Sequence, residues 1–324
     1  MQDLVTVFGG SGFIGTQVVR ALAKRGLRVR VAVRQPHIAY NMRLMGDVGQ
    51  VDVVQANVRN EASVRRALQG AAAAINLVGV LYETGRQKFQ AIHVDGARNV
   101  AAVARDMGVA RLLHMSALGA DPGSESAYAR TKAEGETAVR AAFPGATIFR
   151  PSINFGQGDG FFNKFGEMAA MSPALPLIGG GQTKFQPVFV GDTARAFAQA
   201  VVDPATAGET YELGGPNVYS FRELMALVLA ETERKRALIP LPFGVAAMIG
   251  KLCEPIAFFT PVAPPLTADQ VKLLKTDNVV SGQAPGLSDL GISATAVEGV
   301  LPSYLYRFRK GGQYADLQEP QPVG

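Results

Sequence analysis

The sequence predicts an α/β fold: a doubly wound parallel sheet with a second, smaller C-terminal α+β domain. Three observations lead there. Short apolar runs alternate with helix-period patterns through the first half of the chain. A glycine-spaced turn joins the first run to the first helical pattern. After Pro151 glycine and proline become dense and the regular order is lost. Strand–helix alternation at this pitch implies right-handed crossovers, which put helices on both faces of a parallel sheet.

Leu4–Phe8 reads as a buried strand, and residues 14–24 as a helix with Ile14, Val18, Val19 and Leu22 on one face. Arg28–Val33 and Val51–Gln55 are the second and third strands, with a helix around 62–68 after them. Strands at 73–78, Arg111–Met115 and 147–150 follow, separated by helices at 89–105 and Ala127–Ala142. Residues 1–156 are thus expected to form the first domain, with a return segment at about 185–202. Residues 157–301 form the smaller domain, facing a substrate or partner, and 302–324 a tail.

With 324 residues the chain is long enough for both domains, and 48% hydrophobic against 18% charged residues excludes a disordered composition. A lone cysteine, Cys253, excludes an internal disulfide and fits a reducing compartment. The first strand starts so early that neither a secretory signal nor a transit peptide fits ahead of it. This favours a bacterial protein or an already processed one, and the expected location is cytoplasmic, if need be at the cytoplasmic face of the inner membrane of a bacterium. His37, His93 and His114 lie too far apart for a spaced zinc motif, so no metal is expected.

The net charge is +5, but its distribution matters more. Between residues 4 and 46 stand Arg20, Lys24, Arg25, Arg28, Arg30, Arg34 and Arg43, with no acid. Such a run is either a solvated face with one phosphate ligand in it or a surface for something anionic, a lipid headgroup or an acidic protein. Aromatics do not interleave it and no nucleic-acid motif is present, so nucleic acid is not an expected partner. The apolar stretch 237–268 is broken by Lys251 and Glu254, and its two uncharged pieces are each 14 residues, too short to span a bilayer. It reads as a packed helix of the small domain or as an exposed apolar face for a partner or membrane interface.

Gly9, Gly12 and Gly15 are spaced G-x-x-G-x-x-G between the first strand and first helix, with Ser11, Phe13 and Ile14 between them. The first glycine permits the tight turn, the second lets a pyrophosphate approach the backbone, and the third lets helix and strand pack closely. Free N–H groups at the helix start then receive the phosphate charge. This context predicts a Rossmann-type dinucleotide site. An acid ending the second strand would favour NAD(H); here the residue is Arg34, whose planar fork suits a 2′-phosphate. NADP(H) is therefore favoured, with NAD(H) the alternative.

Tyr128 and Lys132 stand at i and i+4 on a predicted helix, on one face. Ser116 ends the strand before it. A free tyrosine titrates near ~10, too high for neutral acid–base work. The Lys132 ammonium together with a positive nicotinamide is expected to lower that value, with Ser116 orienting a substrate carbonyl or hydroxyl.

These residues are similar to those of the short-chain dehydrogenase/reductase superfamily, in its extended and atypical forms, over essentially the whole chain. The likeness also includes Asn57 and Val58, where that superfamily contacts adenine, and Leu77, Val78 and Gly79 after Asn76, which line the cofactor cleft. Residues 149–156, with Pro151 and Ile153, resemble the segment that closes over the nicotinamide. The runs at 45–50, 75–79, 161–165, 186–190 and 240–243 resemble a narrower group. That group is the nucleotide-binding accessory subunit, alpha subcomplex subunit nine, of respiratory complex I (NADH:ubiquinone oxidoreductase), in its alphaproteobacterial form.

The resemblance implies a tightly held NADPH of structural role and complex I subunits near the quinone site as partners, with an anionic membrane surface nearby. Stretch 237–268 and the Arg307, Arg309 and Lys310 cluster would supply the docking surface. The competing expectation is a soluble NADPH-dependent reductase, epimerase or dehydratase acting on a small-molecule substrate through Ser116, Tyr128 and Lys132. On either reading Arg34→Ala should weaken NADPH binding far more than NADH binding in calorimetric titration, through loss of a charge-assisted pair. Equal weakening of both would refute the choice of NADP(H).

Overall fold

A computed structural model describes residues 4–254, 264–312 and 314. The first half runs β1 (Leu4–Phe8), α1 (Phe13–Lys24), β2 (Arg28–Val33), β3 (Val51–Gln55), α2 (Glu61–Leu68), β4 (Ala73–Asn76), α3 (Ala97–Asp106), β5 (Arg111–Met115), α4 (Ala127–Ala142) and β6 (Thr147–Pro151). The second half runs β7 (Asn154–Phe155), α5 (Phe162–Met171), β8 (Ala174–Ile178), β9 (Lys184–Phe185), β10 (Val188–Phe189), α6 (Val190–Val202), β11 (Thr210–Leu213), β12 (Tyr219–Ser220) and α7 (Phe221–Glu231). It closes with β13 (Ala237–Leu241), α8 (Phe243–Cys253), α9 (Ala268–Leu273) and α10 (Pro302–Leu305).

Seven strands form one sheet in the order β11-β6-β5-β4-β1-β2-β3, and every neighbouring pair is parallel. All four residues of β4 are buried, because a parallel strand between helical layers has no solvent face. One core packs Val18, Val19 and Leu22 of α1 and Phe197 of α6 against the sheet. The other packs Val64 and Leu68 of α2, Val100 of α3 and Val139 of α4. Chain order reverses between β1 and β4. A crevice therefore opens beyond their C-terminal ends, where doubly wound sheets take their ligands.

A third core gathers Phe155, Phe162, Leu175, Leu177, Phe221, Leu224 and Val228. Around it stand three two-stranded ladders, of which β8–β13 is parallel and β9–β12 antiparallel. The C-terminal part is otherwise mostly helical. Ser220 and Glu223 close a capping box at the start of α7.

Three expectations need correction. The return at about 185–202 contains α6, which covers the sheet, but the strand that joins the sheet is β11, further along. The helix expected over 89–105 starts with a π-helical stretch, Gln90–Gly96, before α3. The tail expected from 302 is no tail at its start, because Tyr304 and Leu305 are buried in the third core and the Tyr304 hydroxyl donates to Asp159 at 2.6 Å. Leu301, Tyr304 and Leu305 at i, i+3, i+4 carried that signal. Residues 313 and 315–324 lie outside the described residues, as does 255–263 of the apolar stretch.

Of that stretch, α8 buries only Ala246 and Gly250 and exposes Val245, Met248, Ile249 and Leu252. Among the described residues no helix is long and apolar enough to cross a membrane.

Phe197 is fully buried with its ring 4.4 Å from that of Phe149. Phe197→Ala should cost about 3–5 kcal/mol in urea denaturation; a loss below about 1 kcal/mol would mean that α6 is not close-packed on the sheet.

Candidate functional site

The turn between β1 and α1 lies at the sheet's switch point. Gly9 has φ +78°, a region closed to most residues, and its N–H donates to Ala32 O at 3.1 Å. A Cβ on Gly15 would stand 2.3 Å from Gly9 O, so no side chain fits there. Gly12 differs. Its φ is an ordinary −76°, and the nearest atom to a Cβ there would be Gly9 O at 3.4 Å. Nothing inside the fold requires glycine at 12; close approach of a ligand to the backbone does.

The first helical bond of α1 is Thr16 N–H to Gly12 O. Phe13, Ile14 and Gly15 therefore have no intrahelical acceptor, and the first turn of α1 holds no acid. Ser11 and Gly12 are exposed and Phe13 and Ile14 half-buried. A diphosphate fits this cradle: bare N–H groups, a helix N-terminus and space above Gly12.

At the end of β2, Arg34 is exposed and donates from Nη1 to Gln87 Oε1 at 2.7 Å. Arg59 reaches the same loop, donating to Arg86 O at 2.7 Å. Loop 84–87 thus stands at the β2 end of the crevice, held by two guanidinium groups. Asn57 is turned inward on the Arg59 N–H. Val58 is buried, with its Cγ2 2.8 Å from where a Cβ on Gly96 would be, so only its backbone is open to a ligand. Leu77 N–H bonds Phe8 O, Val78 N–H bonds Asn76 Oδ1, and Gly79 is exposed beside them.

Ser116, Tyr128 and Lys132 come to one strand end. Ser116 follows β5, and Lys132 Nζ donates to Met115 O, one residue back, at 2.7 Å. Lys132 is buried, and burial lowers its pKa to about 8 against the upward pull of Glu136. Glu136 is itself held by both nitrogens of a bidentate Arg150, at 2.8 and 2.6 Å. Ser116 Oγ is buried without a hydrogen-bond partner. Such a group is costly unless something completes it, and a ligand hydroxyl or carbonyl would. Further along this rim, Pro151 is buried, with its carbonyl accepting Leu118 N–H, and Ile153 is half-buried, with its carbonyl accepting Val188 N–H.

The expected lowering of the Tyr128 pKa calls for a nicotinamide beside Lys132; in the protein alone burial pushes it up to about 12. The reason is geometric. Lys132 turns to a strand carbonyl, and the Tyr128 ring is packed edge-on against His93 and Phe89, at 5.3 and 5.9 Å between centroids. In the protein alone Tyr128 is a protonated phenol.

The sequence reading missed several groups. His93 is buried; its Nε2 accepts Val80 N–H at 3.1 Å, so Nδ1 carries the proton toward Thr131 Oγ1 at 3.1 Å. Asn76 meets His114 Nδ1 at 3.3 Å in the β4–β5 interior. A histidine in an apolar helical period gave a partial signal for His93; no spacing could have paired Asn76 with His114 or Arg34 with Gln87.

Residues 5–214 match a family model described as the NAD dependent epimerase/dehydratase family. The chain is 36% identical over 316 residues, 95% of it and 79% of the relative, to NADH dehydrogenase (ubiquinone) 1 alpha subcomplex subunit 9, mitochondrial, of Arabidopsis thaliana. It is 32% identical over 312 residues, 95% of it and 80% of the relative, to the NADH-ubiquinone oxidoreductase 40 kDa subunit, mitochondrial, of Neurospora crassa. Among solved structures, triphenylmethane reductase of Citrobacter sp. superposes with a TM-score of 0.74 at 20% identity, covering 93% of this chain and 99% of that one. That last likeness is one of fold.

Burial lowers the His93 pKa from 6.5 to about 3, with Lys132 adding to the effect. The fold holds His93 neutral while the unfolded chain takes up a proton below about pH 6.5. Its stabilisation is therefore complete above that pH and declines as pH falls toward 3, by about 1.4 kcal/mol per pH unit. Between pH 7.5 and 5.5, urea stability should fall more in the wild type than in His93→Gln. Equal falls would mean that the folded protein carries a proton on His93.

Proposed function

This chain belongs to the NAD dependent epimerase/dehydratase family, and we propose that it is an NADP(H)-holding accessory subunit of respiratory complex I in which the nucleotide is chiefly structural. The observation that carries this reading is whole-length likeness, along 95% of the chain, to subunits of that complex. In this reading the cradle Gly9–Ser11–Gly12–Phe13–Ile14–Gly15 takes the diphosphate, and Arg34 offers its fork to the 2′-phosphate. The Asn57 and Val58 turn flanks the adenine. Leu77, Val78 and Gly79 form the cleft wall, Tyr128 and Lys132 meet the ribose, and Pro151 and Ile153 meet the nicotinamide. When bound, the nicotinamide supplies a site for hydride transfer.

The chain's own groups favour a holding role. Both ring nitrogens of His93 are engaged, Lys132 is bound to a strand carbonyl and Tyr128 keeps its proton. His93 and Tyr128 are therefore not activated bases, and Lys132, though lowered to about 8, is held on a strand carbonyl. Docking is assigned to the exposed apolar row on α8, which lies at i, i+3, i+4 and i+7, at a peripheral position on the cytoplasmic face of the inner membrane. The expected basic cluster contributes less. Arg307 donates to Asn163 Oδ1 at 2.6 Å, and Arg309 pairs with Glu233 and donates to Glu231 O, both at 2.9 Å; Lys310 is exposed.

A second reading rests on the unpartnered Ser116 hydroxyl. Beside a protonated Tyr128 it would orient a carbonyl for reduction, with Tyr128 donating the proton. One experiment separates the two. Chain purified from native membranes should carry NADPH and complex I subunits in native mass spectrometry, and Tyr128→Phe should leave both in place. Absence of complex I subunits, with NADPH oxidation on a carbonyl panel that is lost in Tyr128→Phe, would replace the first reading by the second.

A further inference from the structure

Helix α4 carries Tyr128 and Lys132, and its first turn is held by a residue from far along the chain. Asp269, in α9, accepts three hydrogen bonds there: from Ser126 Oγ at 2.7 Å, from Ala127 N–H at 2.7 Å and from Tyr128 N–H at 3.1 Å. Ser126 Oγ in turn accepts Ala129 N–H at 3.3 Å. The open donors of the helix start, usually left to water or a local cap, are thus satisfied by one distant carboxylate. Its charge also lies where the helix dipole favours it.

The tie is not isolated. Lys272 Nζ donates to Glu125 O at 3.3 Å and Lys275 pairs with Glu125 at 3.4 Å, so α9 and the residues after it grip the loop entering α4 from two sides. Helix α9 is itself fixed. Thr267 and Gln270 form a capping box at its start, and α8 lies so close that a Cβ on Gly250 would stand 2.6 Å from Ala268 N. A few residues on, Asn278 Oδ1 accepts Ser152 Oγ at 2.7 Å. The segment therefore bridges α4 to the β6–β7 connection, the two sides of the crevice that face the nicotinamide half of a bound nucleotide. Among the described residues it makes no hydrogen bond or ion pair with the glycine turn or with Arg34.

We propose that Asp269 is a positioning residue that sets the nicotinamide end of the site by holding the backbone of Tyr128, and leaves the adenosine end alone. The proposal rests on the cofactor reading given above. It assigns the smaller domain a role in the cleft beyond covering it: α9 adds a carboxylate to the Ser126 cap of α4 and takes the two N–H groups, of Ala127 and Tyr128, that Ser126 leaves open.

The test uses the full chain and two probes, NADPH and 2′,5′-ADP, titrated by calorimetry. The second probe lacks the nicotinamide half but keeps the 2′-phosphate. Asp269→Ala should weaken NADPH about tenfold, the scale of a lost helix cap, and leave 2′,5′-ADP within about twofold. Asp269→Asn, which keeps the shape and one acceptor, should shift the same ratio in the same direction by less. Thermal melting of both variants provides the control for folding. If the two probes weaken in parallel, Asp269 serves only the fold and the proposal is overturned. If neither weakens, it is overturned as well. A wild-type chain that takes up neither probe overturns the cofactor reading, and this proposal with it; a wild type that binds both probes, with variants that weaken them in parallel or not at all, overturns this proposal alone.

Discussion

The site depends first on how closely α1 approaches the end of β1. Gly15 faces Gly9 O across a gap that admits no Cβ, and Gly9 turns the chain through a positive φ. Together they aim the start of α1 at the switch point of the sheet, where its unpaired N–H groups have room before them. A side chain at either position would push the helix outward and close that room. The rest of the crevice is arranged around this fixed corner: loop 84–87 on the β2 side, and the β5 end with α4 on the other.

Burial governs the chemistry of the second side. His93, Lys132 and Tyr128 all shift toward their neutral forms, and in each case removal from water is the leading cause. Charge compensation is given instead to the pair behind them, Glu136 with Arg150, whose geometry is bidentate. Burial thus weakens, without removing, the charge of Lys132 at the floor of the crevice. Among the described residues, the buried Ser116 hydroxyl on this face has no hydrogen-bond partner.

The smaller domain contributes through hydrogen bonds to backbone as much as through packing. Asp269 caps α4, Asn278 bonds Gln186 and Lys184 backbone as well as Ser152, and Asp159 accepts Gly156 N–H and the Tyr304 hydroxyl. Each joins segments that lie more than one element apart. The outward face of α8 remains apolar while its inward face is reduced to Ala246 and Gly250. That asymmetry is the reverse of a helix whose burial is complete within its own chain.

The sequence by itself determined the local rules: buried parallel strands from unbroken apolar runs, amphipathic helices from their period, and a phosphate-type turn from three glycines ahead of a helix. Those signals are short-range, and backbone sterics enforces them whatever the remainder of the chain does. Only tertiary structure decided which groups meet. Arg34 with Gln87, Asp269 with α4, and β11 rather than an earlier segment as the edge strand are pairings across long stretches of chain, and no periodicity encodes them. It also decided the state of Tyr128. Spacing put Tyr128 and Lys132 on one helical face, but the ionisation of a phenol depends on what surrounds it in three dimensions, and there an apolar packing of rings outweighs a lysine that faces a strand carbonyl.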